Sequence, residues 1–111
     1  MDSILLSIKK ALGVEDDYDG FDTEIIMHIN AALFTLNQLG VGVDGYSISG
    51  IQETWAMFLT GFTGVESVKT YVYLTVRLLF DPPTNSFLVT SFEKQIEQLQ
   101  WRLMVKTDPE V

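Results

Sequence analysis

Some groups of residues in this chain have the types and spacing that chemistry uses. The stretch "EDDYDG" puts Glu15, Asp17, Asp19 and Gly20 at the first, third, fifth and sixth places of a calcium-binding loop. Such a loop closes on a bidentate carboxylate at its twelfth place, where this chain has Ile26. The stretch, with Asp16 inside it, therefore reads as an acidic loop that leads into a helix, and no metal site is expected. "GVGVDG" sets Gly40, Gly42 and Gly45 at the spacing of a dinucleotide loop. That loop needs a strand before it and a helix N-terminus after it, so that N–H groups point at pyrophosphate. Here the glycines follow a helical pattern and carry Asp44, an anion that repels phosphate. A turn-forming connection is the simpler reading, with no cofactor.

His28 is the only histidine, one helical turn after Glu24. The pair could be a general-base dyad, but no serine or cysteine nucleophile is marked by its context. An ordinary i, i+4 contact explains it. The chain has no cysteine, which excludes disulfides and thiolate metal sites. Catalytic, cofactor and metal residues are all expected to be absent, and the chain is not expected to be an enzyme.

The elements that would position such residues are helical throughout. Ile4, Leu5, Ile8, Ala11 and Leu12 follow i, i+3, i+4 spacing and predict a first helix over residues 2–12. Lys9 and Lys10 suit the negative end of its dipole, and Gly13 supplies the left-handed stop. Ile25, Ile29, Ala32, Leu33 and Leu36 predict a second helix over 23–38, with Asp22 or Thr23 as cap. "SGIQ" reads as a capping box between Ser49 and Gln52, opening a third helix over 50–59. "TGVE" repeats the box with Thr63 and Glu66 before a fourth helix over 65–80. Val68, Val72, Val76 and Leu79 line that helix, and Tyr71, Leu74 and Leu78 carry the apolar surface most of the way round, so it should be central. A last helix over 86–105 shows Phe92, Ile96, Leu99 and Leu103 on one side. Trp101 and Arg102 lie off that stripe, as a protein anchor would. The expected architecture is all-α: one domain over residues 1–105, a bundle of four to five helices with a long C-terminal helix, and a flexible tail over 106–111.

Between the last two helices stands "LLFDPPTNSFLV". Pro82 and Pro83 fix two φ angles and remove two N–H donors, so Asp81, Pro82 and Pro83 read as a rigid corner. The 111 residues carry 15 acids against 7 bases, a net charge of −8. That balance argues against a sequence-reading DNA binder, which needs Lys and Arg for phosphates. No apolar run is long enough for a transmembrane helix, and the acid-first start is unlike a secretory signal. Aromatic residues reach 12%, which is high for one small core, so some rings are expected at a surface that meets a partner.

The segments "FDTEIIMHINAALFTLNQLGVG", "VKTYVYLTVRLLFDPP" and "FEKQIEQLQWRL" together resemble the head–tail connector family of tailed bacteriophages, also called head-completion or adaptor proteins. "LLFDPP" and "LQWRL" carry most of the likeness, which spans residues 4–105. The resemblance implies a non-enzymatic virion protein of the neck, assembled in the host cytoplasm. It implies a ring, usually twelve-fold, beneath the portal protein, which extends the DNA channel and docks a downstream neck or tail-completion protein. Portal, neighbouring copies and that downstream protein are the implied partners, with double-stranded DNA passing without specific binding and no membrane. Trp101, Arg102 and Lys106 are the candidate interface, and Glu15, Asp16, Asp17 and Asp19 the candidate acidic channel or rim surface. The competing reading is an acidic interaction module, such as a DNA mimic or anti-repressor; it expects carboxylates spaced like phosphates along one face, whereas these acids cluster in loops.

Overall fold

The periodic apolar residues form α1 (Ile4–Leu12), α2 (Asp22–Gln38), α3 (Trp55–Phe58), α4 (Val65–Phe80) and α5 (Ser86–Thr107). These come from a computed structural model, which describes residues 2–107. α5 continues through Lys106 and Thr107, the first residues of the expected tail; residues 108–111 lie outside the described residues. The all-α class with a long last helix is as the sequence predicts.

α1 starts where expected. The Ser3 hydroxyl accepts from the Leu6 N–H at 3.2 Å, and Gly13 ends the helix at φ +82°, an angle only glycine takes freely. α4 is the central element and packs against α1, α2 and α5. Its Val68, Tyr71, Val72, Leu74 and Val76 are buried with Ile25, Ile29, Leu33 and Leu36 of α2 and Ile4, Leu5 and Ile8 of α1. Each fully buried aliphatic side chain is worth about 1.5–3 kcal/mol, so this one cluster carries most of the driving force. Leu79, expected on the same stripe, is 53% exposed. The Phe80 ring meets the Phe21 ring edge-on at 5.2 Å, which sets the end of α4 level with the start of α2.

Both expected capping boxes fail, for a long-range reason in the first case. The Ile4 N–H donates to the Glu53 carbonyl at 3.0 Å, and the Trp55 N–H to the Asp2 carbonyl at 3.1 Å. This bridge between Ser3 and Thr54 holds residues 53–54 extended, so α3 cannot begin at Gly50. It begins after Thr54, whose hydroxyl accepts from the Met57 N–H, and is four residues long. Ser49 does not pair with Gln52; its N–H and hydroxyl donate to Glu53 instead. Before α4 the cap is Gly64 with no side-chain bond, and Glu66 faces Lys69 at 3.7 Å. α2 likewise has Phe21 as its cap rather than Asp22 or Thr23.

Trp55 fills the space between α1 and the core. It is fully buried, and its indole N–H donates to the Ser7 hydroxyl at 2.8 Å. α5 is the least embedded helix. It packs mainly on α4; Leu103 is buried, Ile96 and Leu99 are partly buried against the core, and the Phe92 ring lies under Arg77. The Gln100 amide donates to the Tyr71 hydroxyl at 3.0 Å and fixes the register of the two helices.

Candidate functional site

The acidic loop is organised from below by Lys9, one of the two basic residues in the last turn of α1. Lys9 is 1% exposed. Its ammonium donates to the Tyr18 carbonyl at 2.7 Å and the Asp16 carbonyl at 3.2 Å, and lies 2.8 Å from the Asp22 carboxylate. A buried ammonium needs such partners to offset its lost hydration. Glu15, Asp16, Asp17 and Asp19 all remain exposed around this anchor. Among the described residues no cluster of three or more His, Asp and Glu could hold a metal ion.

The glycine-rich connection is pinned by amides of α2. Asn37 donates to the Val41 and Val43 carbonyls, each at 3.0 Å, and accepts from the Gly45 N–H. One heptad earlier, Asn30 accepts from the Ile48 N–H at 2.7 Å and donates to the Ile48 carbonyl at 3.0 Å. Gly42 has φ +83°, and a Cβ there would collide with the Phe58 ring. These glycines serve turns and close approach. Beside them, burial works to raise the Glu53 pKa, but the N–H groups of Ser49 and Gly50, its own N–H and the Ser49 hydroxyl prevail and hold it below the usual value. The same carboxylate, after burial, helps to raise the Tyr46 phenol. His28 and Glu24 stand 3.6 Å apart on α2, an i, i+4 contact with no nucleophile marked nearby.

At the corner, the Asp81 N–H closes α4 on the Arg77 carbonyl at 2.9 Å. Arg77 in turn donates to the Asp81 carbonyl and to the Tyr73 hydroxyl, and sits 6.0 Å over the Phe92 ring of α5. Pro82 and Pro83 follow, and the Asn85 side chain accepts from the Phe87 and Leu88 N–H groups to open α5. Asn85 was missed by sequence reasoning, although Asn before an apolar run is a cap signal.

Trp101 and Arg102 share an exposed hollow with Glu97 and Gln98 on the outer side of α5. Lys106 is not with them: its ammonium lies 6.0 Å over the Phe62 ring. A second hollow lies on the same outer side, bounded by Phe87, Thr90, Ser91, Lys94 and Gln98. Phe87 is 81% exposed and Trp101 63%. They are 14 residues apart, about 21 Å along the helix, on one face. Phe87 lies off the Phe92–Leu103 stripe just as Trp101 does, and that signal could have found it. α2 has an outward row of its own: Met27 at 63% and Phe34 at 64% exposed, with exposed Ala31 between them.

Among the described residues the candidate site is thus a set of surfaces on a helical frame with a double-proline corner. A family profile described as phage connector protein matches residues 4–110 of the chain. The chain belongs to the phage connector protein family. No curated protein and no solved structure matches it. A phage connector protein is a structural, non-enzymatic kind of protein that associates with other head and tail proteins in the virion, and a structural head–tail connector role follows for this chain. No described helix of this connector is long and apolar enough to cross a membrane.

Proposed function

We propose that this connector assembles as a ring of copies beneath the portal, twelve-fold as in the family it resembles, and extends the DNA channel toward a downstream neck protein. The family match over residues 4–110 carries the reading. Uncovered aromatic rows on α2 and α5 support it, because a lone domain of this size gains nothing from leaving Phe87, Trp101 and Phe34 in water. Glu15, Asp16, Asp17 and Asp19 would line or flank the channel, where like charge lets DNA slide rather than stick. Asp81, Pro82 and Pro83 would set the direction in which α5 meets a partner. Trp101, Arg102 and Lys106 would contact the portal or a neighbour, after assembly in the host cytoplasm.

The test is to mix the chain with its cognate portal and image the product. Rings below the portal are expected, and bare portals would overturn the reading. Trp101→Ala, or deletion of residues 106–111, should weaken assembly more than folding. Equal loss of both would count against these residues as an interface.

A further inference from the structure

The two uncovered helix rows are different, and they fit each other. α2 offers two protruding side chains, Met27 and Phe34, seven residues apart, or about 10 Å along the helix. α5 offers two hollows, one around Trp101 and Arg102 and one around Phe87, Ser91 and Lys94. Their centres are about eight residues, or about 12 Å, apart, and Gln98 borders both. We propose that in the ring the outer face of α5 packs antiparallel on the outer face of α2 of the next copy, with Met27 in the Trp101 hollow and Phe34 in the Phe87 hollow. The proposal rests on the ring reading above.

Charge selects the partner and the direction. Lys94 and Arg102 lie on the α5 face and make no ion pair among the described residues. On α2 the row begins at exposed Glu24, directly after the acidic loop. Laying α5 antiparallel brings Arg102 to Glu24 and Lys94 past Ala31, whose small side chain lets the helices approach. The same direction sets the negative end of α5 beside the positive end of α2, which favours it further. A parallel arrangement would put Arg102 at the α2 C-terminus, near Gln38, with no carboxylate on the row.

Geometry selects a ring over a dimer. α2 and α5 each pack on α4 and hardly touch one another, so their outward faces lie on different sides of the molecule. A contact between two unlike faces is head-to-tail, and it closes a ring where the rotation from copy to copy divides a full turn. A two-fold dimer would instead use one face against itself and leave the α2 row of Met27 and Phe34 uncovered.

The chain has no cysteine, so single thiols can be placed cleanly. Ala31→Cys and Gln98→Cys are made singly and together, checked for folding by circular dichroism, assembled on cognate portal and treated with a bis-maleimide. The double variant should give a ladder of cross-linked species beyond the dimer, and each single variant none. A dimer from either single variant overturns the head-to-tail contact. Rings without a ladder overturn the proposed faces and leave the ring reading standing, whereas wild-type chains that form no ring overturn both. As a second readout, Arg102→Glu should cut ring yield about tenfold, and adding Glu24→Arg should restore it to within about twofold. Full yield from the single charge reversal overturns the Arg102–Glu24 pairing and with it the register.

Discussion

The Lys9 ammonium stands 2.8 Å from the Asp22 carboxylate, joining α1 to the first turn of α2 beneath the acidic loop. One buried cation therefore holds the base of four exposed carboxylates. Lys9→Met would keep the volume and strand Asp22 and two carbonyls. Urea unfolding should show a loss of about 2–3 kcal/mol. Amide exchange should quicken first around Asp16 and Tyr18, the carbonyls that Lys9 binds. Unchanged stability would mean that the loop holds itself.

Trp55 should be the costliest single truncation. It is fully buried and links α1 to α3 through Ser7. Trp55→Ala is expected to cost about 3–5 kcal/mol, and Ser7→Ala about 1 kcal/mol. Thermal melts of the two variants check the ranking.

Acid should weaken the connection before α3. The Glu53 pKa is held below its usual 4.5 in the fold. A carboxyl whose folded pKa is depressed binds its proton more readily when unfolded, so its stabilisation is full above the unfolded pKa. It is lost as pH falls through the lower, folded value. Glu53→Gln should therefore be less stable than the wild type near neutrality, with the gap closing below pH 4.5. A gap that stays constant down the acid limb would remove Glu53 from the account.

The double-proline corner should matter more to assembly than to folding. Pro82 is exposed, Pro83 is half-buried, and the Arg77–Asp81 bonds persist without either ring. Replacing both by Ala should change stability by about 1 kcal/mol or less, by freeing the unfolded chain. Ring yield on cognate portal should fall markedly, because α5 loses its fixed direction. Normal yield would show that Arg77 and Asn85 alone set the corner.

What the sequence made legible was whatever repeats locally. The boundaries of α4 and the inward side of α5 at Ile96, Leu99 and Leu103 follow from helical period, and the structure agrees. The third helix was misread because its start is decided by Asp2 and Ile4, some fifty residues away, which no window along the chain contains. Lys9 does stand in the last turn of α1, but its burial was not legible, because only the folded loop supplies its partners. Asn30 and Asn37 look like unremarkable polar positions on α2 until the connection folds back on them. Trp101 was legible as an off-stripe aromatic, but its companion Phe87 and the α2 row were not singled out, since exposure depends on which helices pack together.

The amides of Asn30 and Asn37 stand in for a neighbouring strand. A true ladder can slip by two residues and keep its bonds, and its free edge can recruit another chain. A segment bonded to two fixed side chains has one register or none, and offers no edge to extend. Residues 41–48 thus gain the polar partners of a sheet without its capacity to propagate, which suits a protein that must meet many copies of itself in only one way.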